Sequence, residues 1–187
     1  MGYNAPLNTP LMILLGGQPY IDVRASLNSF IPKNVAPETS KKLINFWLNS
    51  LKENPELHDK IEFDVAITSY RFDISEKLSK LELGGLLTKD ECTQFEQKHR
   101  EMTLALIKGQ SNGAMDAAIQ KVSILKERQK NFDSEMGIEE LRSILHDCIK
   151  FSTKPFAILA RHAFIAKNIL FSLTAVGVLD SKGVNNF

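Results

Sequence analysis

The chain lacks most of the patterns that identify a function at first sight. Its 187 residues include only two cysteines, Cys92 and Cys148, which form neither a CxxC pair nor a zinc pattern. So few cysteines predict a reduced, cytoplasmic location. HExxH spacing and the GxxxxGK[ST] and GxGxxG phosphate loops are also missing. We therefore expect no metal site, no cofactor and no catalytic residue within this chain.

A net charge of one sign is missing as well. The chain has 23 basic and 22 acidic side chains and a formal net charge of +1. Proteins that hold nucleic acid or an anionic membrane surface need a basic field, so we expect neither partner. Residues 11–15 are apolar, but they are too few for a signal peptide and no basic segment precedes them.

Long uninterrupted apolar runs are also rare. The longest, residues 156–179, contains Arg161, His162 and Lys167. A membrane-spanning helix needs about 20 mostly apolar residues, and cations near its centre are costly. We therefore predict that this run is a helix buried on most sides of a soluble domain. The apolar fraction of 43% and charged fraction of 24% are typical of one globular domain covering residues 1–187.

Residues 10–70 carry the signature of a small sheet. Gly16-Gly17-Gln18-Pro19 is a turn sequence after an apolar run. Residues 20–30 then alternate, with apolar side chains at Ile21, Val23, Ala25 and Leu27 and polar ones at Asp22, Arg24, Ser26 and Asn28. Residues 61–70 alternate too, with Glu62, Asp64 and Thr68 on the polar face. Two such strands predict an antiparallel sheet whose dry face is covered by helices.

Residues 73–180 have the periodicity of helices. Pro37 opens an earlier helix, Thr88 with Glu91 forms a capping box, and Lys154-Pro155 opens the last long helix. The helices on either side of residues 109–113 are expected to face each other as an αα-hairpin. The predicted fold is α+β and mostly α-helical, with a small antiparallel sheet near the N-terminus packed on a bundle of about five to six helices.

The polar side of residues 20–28 is the sharpest functional candidate. Asp22, Arg24, Ser26 and Asn28 offer donors and acceptors to a small polar ligand, and Arg24 can form a fork to a carboxylate or phosphate. The alternative is a solvated sheet face on which Arg24 pairs across to Glu62 or Asp64.

The histidines give weaker signals. His99 lies on the apolar stripe of its helix and is expected in the core. His146 is close to Cys148 in sequence, but neighbouring helical residues do not face each other, so no catalytic pair is predicted. Arg161 and His162 either project into a pocket or, for Arg161, hold a carboxylate structurally. Residues 109–113 fit a helix–helix turn better than an anion cradle.

Three segments carry a resemblance to a known family. They are residues 18–32 (QPYIDVRASLNSFIP), residues 54–63 (NPELHDKIEF), and residues 154–166 (KPFAILARHAFIA) with 173–179 (LTAVGVL). In this order they resemble signatures of phosphoenolpyruvate synthase-like phosphotransferases, and they span almost the whole chain. Leu27 stands where the family pattern has Phe, a change on the dry face that leaves the polar set intact.

The resemblance implies a function that the residue pattern alone does not. Such proteins are long multidomain enzymes, often associated with capsule polysaccharide biosynthesis. They join an ATP-grasp domain to a mobile phosphohistidine domain and split ATP, with Mg, to AMP and phosphate. One branch is an L-glutamine kinase. This chain resembles the region between those domains, so the resemblance implies an internal domain of a longer enzyme, not catalytically complete alone.

Within that family, the expected role is to bind the small-molecule phosphoryl acceptor. Arg24 would hold a carboxylate or the transferring phosphoryl group, and Asp22, Ser26 and Asn28 would orient the acceptor. Glu62, Asp64 and Arg161 are further candidates. The partners would be the acceptor and the ATP-grasp and phosphohistidine domains of the same parent chain. The alternative is a non-catalytic interaction or scaffold domain between the catalytic modules, with no ligand of its own.

Overall fold

The predicted fold class is confirmed. The computed structural model describes residues 1–4, 10–109, 113–130 and 137–185. It is 69% helical, with a two-stranded antiparallel sheet near the N-terminus. In the described ranges there are eight α-helices, joined in places by short 3₁₀- and π-helical segments.

The sheet is a tight hairpin. Strands β1 (Met12–Leu15) and β2 (Gln18–Ile21) pair antiparallel. Gly16 and Gly17 form the predicted turn, with φ values of 57° and 80° that suit a residue without Cβ. Every residue of both strands is exposed. The prediction that helices cover one face of the sheet is therefore wrong within the described residues.

The predicted strand over residues 20–30 is also wrong beyond Ile21. Helix α1 (Val23–Asn28) begins instead, because the Asp22 carboxylate accepts a hydrogen bond of 3.0 Å from the backbone N–H of Ala25. Asp22, Arg24, Ser26 and Asn28 therefore do not form the face of a strand. Ala25 and Leu27 are buried, as their apolar character suggested, but they reach the core from a helix.

The second predicted strand, residues 61–70, is not a strand either. Ile61–Val65 form a π-helical turn, and the buried residues that follow are irregular. Side chains satisfy the backbone there: the Tyr3 hydroxyl donates to the carbonyl of Thr68 at 2.6 Å, and the Tyr70 N–H donates to the Thr103 hydroxyl at 2.9 Å. These bonds replace those of a strand partner.

Three helices and α1 enclose the main core. They are α2 (Pro37–Glu53), which ends at Asn54-Pro55 as predicted, α3 (Ile74–Leu83) and α4 (Lys89–Ile107). The core's most buried large side chains are Leu27, Ile31, Leu43, Trp47, Ile74 and Phe95. The predicted capping box of Thr88 and Glu91 is present, and the Glu91 carboxylate also accepts a 2.8 Å bond from Lys42, which joins α4 to α2.

The second half is built on one long helix. Helix α5 (Ala114–Gln129) is followed by α6 (Ile138–Asp147), a π-helical segment (Cys148–Thr153) and α7 (Lys154–Ala175). Helix α8 (Ser181–Asn185) ends the described chain. Helix α5 packs chiefly along the π-helical segment and α7, so the predicted hairpin of α5 with α4 is wrong. Residues 110–112 of the predicted break lie outside the described residues.

The predicted burial of the apolar helix is not confirmed. Ile138–Ala175 form 38 continuous helical residues, long and apolar enough by length and composition to cross a membrane. Only 17% of the most apolar stretch is buried. In α7 the buried residues are Pro155, Ile165, Asn168 and Ser172, which is one face and not most of the helix. The absence of a membrane partner remains a prediction.

The core contains the histidine that the sequence placed there. The His99 ring is fully buried on α4, edge-on to the Phe95 ring with centroids 4.5 Å apart. Within the described chain neither ring nitrogen has a hydrogen-bond partner. Burial lowers the pKa of His99 to about 3, since the charged ring would lose its hydration.

This burial predicts a loss of stability in mild acid. Unfolded His99 takes up a proton below pH ~6.5, whereas the folded protein does not until about pH 3. The stability due to this difference is complete above pH ~6.5 and falls as the pH drops. Between pH 6.5 and 5, we expect the native chain to lose about 1–2 kcal/mol relative to a His99→Leu variant, measured by urea unfolding.

The control is His58→Leu, which removes an exposed histidine from the loop after Pro55. It should keep the native pH slope. Equal slopes for native and His99→Leu proteins over this range would show that His99 is protonated in the folded state.

Candidate functional site

Asp22 has a structural role. It is the N-cap of α1, and its carboxylate accepts from the Ala25 N–H, while its own N–H donates to the Leu11 carbonyl at 2.8 Å. It therefore links the hairpin to α1. A capping carboxylate of this kind stabilises a helix by about 1 kcal/mol.

Arg24 and Asn28 do come together. They are four residues apart on α1 and share one helical face, which forms a wall of an open groove of about 370 Å³. The opposite wall comes from the start of α2 and includes Pro37, Ser40 and Lys41. Of the seven residues proposed from sequence, these two line the groove.

Besides Ser40, three polar residues of this site were not identified from the sequence. Asn4 and Lys41 line the groove, and Asn45 accepts a 2.9 Å hydrogen bond from Arg24 Nη1. Lys41 and Asn45 are four residues apart on α2, so they share a polar flank beside the buried pair Leu43 and Ile44. The spacing of these two residues in the sequence indicates that they share one side of the helix. The sequence around them does not indicate that this side faces α1.

Ser26, Glu62 and Asp64 lie outside the groove. The Ser26 carbonyl accepts a 2.6 Å bond from the Ser29 hydroxyl. The Glu62 carbonyl accepts a 3.0 Å bond from the Asn168 side-chain amide, so it is the backbone of Glu62 that has a defined role. Asp64 is exposed on the π-helical turn. The predicted cross-strand pairing of Arg24 with Glu62 or Asp64 is wrong, because no strand carries either carboxylate.

Arg161 is held by aromatic rings instead of a carboxylate. Its guanidinium carbon lies 4.4 Å from the Phe30 ring centroid and 4.9 Å from that of Tyr3. It also donates to the carbonyl and hydroxyl of Ser29, at 3.3 and 3.4 Å. Burial raises the pKa of Tyr3 to about 12, although the nearby Arg161 charge acts in the opposite direction. Arg161 therefore joins α7 to the end of α1 and to the N-terminal segment.

The groove's chemistry is cationic and amide-rich. Arg24 offers a planar fork of N–H donors and Lys41 a compact charge, and Asn4 and Asn28 add side-chain amides. Among the described residues that line the groove there is no carboxylate. This set suits a small anionic ligand, and it contains no nucleophile paired with a base.

The remaining histidines do not form a second reactive centre. His146 Nδ1 is 3.9 Å from Asp147, whose carboxylate is bound at 2.7 Å by Arg128. His162 Nδ1 contacts the Ile158 carbonyl at 2.8 Å, and its ring borders an apolar cavity of about 320 Å³ between α4, α5 and α7. Across the described ranges, no cluster of three or more His, Cys, Asp or Glu side chains could hold a metal ion.

No protein-family model, curated protein or solved structure matches this chain. The resemblance to phosphoenolpyruvate synthase-like phosphotransferases therefore stays an expectation from the sequence.

The aromatic environment of Arg161 predicts that it stabilises the fold. Arg161→Ala removes two cation–π contacts and the bonds to Ser29, and we expect a loss of about 2 kcal/mol in the free energy of unfolding. The matched control is Arg100→Ala, because Arg100 is exposed on α4 and its truncation should cost less than about 0.5 kcal/mol. Urea unfolding checks both values, and equal stabilities would contradict the structural role.

Proposed function

We propose that this chain is the acceptor-binding and structural domain of an ATP-dependent, phosphoenolpyruvate synthase-like phosphotransferase. The observation that carries this proposal is the groove between α1 and α2, which is lined by Arg24 and Lys41 together with Asn4 and Asn28. Its acceptor is a small molecule with a carboxylate or phosphoryl group. ATP, Mg and the phosphohistidine belong to other domains of the parent enzyme.

The charge balance of the groove supports an anionic ligand. Some of the other basic residues form ion pairs within the chain: Lys42 with Glu91, Arg71 with Asp73 and Arg128 with Asp147. Arg24, by contrast, bonds the neutral amide of Asn45. In the part of the chain that the structure describes, neither Arg24 nor Lys41 forms an ion pair. Two cations that line one groove without an ion-pair partner can bind an anion without first breaking a salt bridge.

The groove would act by positioning. Arg24 is fixed by Asn45 and lies on a helix capped by Asp22, so its guanidinium is oriented before a ligand arrives. When the carboxylate or phosphoryl group of the acceptor binds there, the rest of the acceptor would remain exposed to solvent, because the groove is open. That geometry suits a reaction whose phosphoryl donor arrives on another domain.

The direct test is a calorimetric titration of the chain with glutamine, pyruvate and inorganic phosphate, each in a separate experiment. We expect binding of at least one of them, weakened on the order of 10- to 100-fold in Arg24→Ala and in Lys41→Ala, because each loses a charge-assisted bond. Lys126→Ala is the matched control, since Lys126 is an exposed lysine on α5 and should leave affinity unchanged. Circular dichroism verifies that each variant folds.

Two outcomes would contradict an acceptor site. One is the absence of binding by all three probes. The other is binding that Arg24→Ala and Lys41→Ala leave intact.

The hairpin favours a second candidate, an interaction or scaffold domain between the catalytic modules. Residues 10–21 contain no charged side chain, and Leu14, Leu15 and Ile21 are more than half exposed. Free sheet edges are normally protected by charges, bulges or cover, and an isolated two-stranded hairpin is marginally stable. An uncharged apolar hairpin is therefore suited to packing against another domain.

The scaffold role predicts that a change in the hairpin weakens binding to the other domains and not binding of a small anion. Leu14→Lys should abolish binding to separately produced ATP-grasp or phosphohistidine domains of the parent enzyme, measured by surface plasmon resonance, and leave small-anion binding unchanged. The control is Lys108→Leu, which changes an exposed residue outside the hairpin and places no charge in it. This variant should bind the other domains as the native chain does. Undiminished domain binding by Leu14→Lys would exclude the hairpin as the contact.

A further inference from the structure

The groove between α1 and α2 is built from a part of the chain that is poor in acidic side chains. The eight described residues that line it all lie within residues 1–52. This part contains five basic residues but only two acidic ones, Asp22 and Glu38, whereas the whole chain has a net charge of only +1. Residues 5–9, which follow Asn4, contain no charged side chain. From this part of the chain, only Asp22 and Glu38 could supply a carboxylate to the groove.

Neither of these two residues lines the groove. The Asp22 carboxylate accepts the capping bond of 3.0 Å from the Ala25 N–H at the start of α1. Glu38 is exposed in the first turn of α2, three residues before Lys41, and the two form no ion pair in the described chain. The described residues therefore give the groove two cations, Arg24 and Lys41, with no negative charge to offset them.

The start of α2 adds to this positive character. Its N-cap residue, Ala36, has no side chain that could accept a bond from the N–H groups of the first turn. Pro37, the first helical residue, lines the groove. Because free N–H groups give a helix N-terminus a partial positive charge, the end of α2 that borders the groove favours an anion and disfavours a cation.

These charges distinguish between two kinds of acid. A carboxylate or phosphoryl group bound by Arg24 and Lys41 is neutralised, but an ammonium group on the neighbouring carbon would be brought close to the same cations. In water, the repulsion between unit charges about 4 Å apart lowers an affinity by about fivefold, and by more in a partly desolvated groove. Asn4 and Asn28 can accept a hydrogen bond from an ammonium group, but a neutral amide does not offset two cations.

We propose that the groove is specific for acids without an amino group and discriminates against zwitterions such as α-amino acids. This inference rests on the proposed function, since it concerns the ligand of the same groove. The ligand is then an organic acid or a phosphate monoester whose other groups are neutral. Of glutamine, pyruvate and inorganic phosphate, glutamine should bind least tightly.

The test uses two pairs of ligands, and in each pair one member has an ammonium group where the other has a neutral group. Lactate and alanine form the carboxylate pair, and ethyl phosphate and phosphoethanolamine form the phosphoryl pair, so the experiment also shows which anionic group the groove takes. NMR titration of the 187-residue chain measures each affinity and locates binding through the backbone signals of Arg24 and Lys41. We expect the member without an ammonium group to bind on the order of tenfold more tightly in at least one pair.

A carboxylate introduced into the groove should reduce this preference. Asn4→Asp is isosteric and keeps the 2.8 Å backbone bond from the residue 4 N–H to the Ile31 carbonyl. It should reduce the preference on the order of fivefold, because the new carboxylate repels the acid and attracts the ammonium group. The matched control is Asn49→Asp, which adds the same charge at an exposed position of α2, about 12 Å along the helix from Lys41. This variant should keep the native preference.

The possible outcomes separate this inference from the proposed function. Equal affinities within each pair, lost in Arg24→Ala, would overturn the discrimination and leave the anion site intact. The absence of binding by all four ligands and by inorganic phosphate would overturn both. A preference that Asn49→Asp reduces as much as Asn4→Asp would show that the net charge of the chain causes it and not the groove, which would also overturn the inference.

Discussion

One partly buried polar network connects the two halves of the chain. The Asp73 carboxylate receives two bonds from Arg71, at 2.8 and 2.9 Å, and Arg71 also donates to the Asn168 side-chain carbonyl at 3.0 Å. The Asn168 amide donates to the Glu62 carbonyl and the Thr68 hydroxyl. Burial acts to raise the pKa of Asp73, but the bonds from Arg71 outweigh it and lower that pKa. Removing one partner would leave a desolvated charge. The network therefore fixes the position of the segment from Glu62 to Asp73 against α7.

That constraint explains which elements were predictable. Local signals mark two helix starts, at Pro37 and at the Thr88–Glu91 box, and the hairpin turn at Gly16-Gly17, and the structure has all three where the sequence predicts them. Residues 61–70 alternate like a strand, yet their bonding partners Thr103 and Asn168 lie on α4 and α7, dozens of residues away in sequence. No local pattern contains such partners. Tertiary hydrogen bonds overrode the alternation there.

In the candidate site, too, the features set by neighbouring residues in the sequence could be predicted, and those set by contacts between distant elements could not. Positions 24 and 28 share a face in both a strand and a helix, so Arg24 and Asn28 lie together although the predicted element was wrong. Positions 22 and 26 share a face with them only in a strand, and the helix turns Asp22 and Ser26 elsewhere. Lys41 reaches the groove from α2, and its place depends on how α1 packs there. The local part of the site was predictable, and the part that requires two helices to meet was not.

The distribution of polarity now suggests how these parts work together. The chain holds a partly buried ion pair and a buried asparagine at its centre, while the hairpin, α6 and much of α7 expose apolar side chains. A closed domain would hide such surfaces first, because burial of apolar area is the main favourable term in folding. The exposed surfaces and the groove belong to different elements, so a partner can cover the hairpin or α6 without filling the groove. That separation is what a domain needs if it is to be held by neighbours and still receive a small anion.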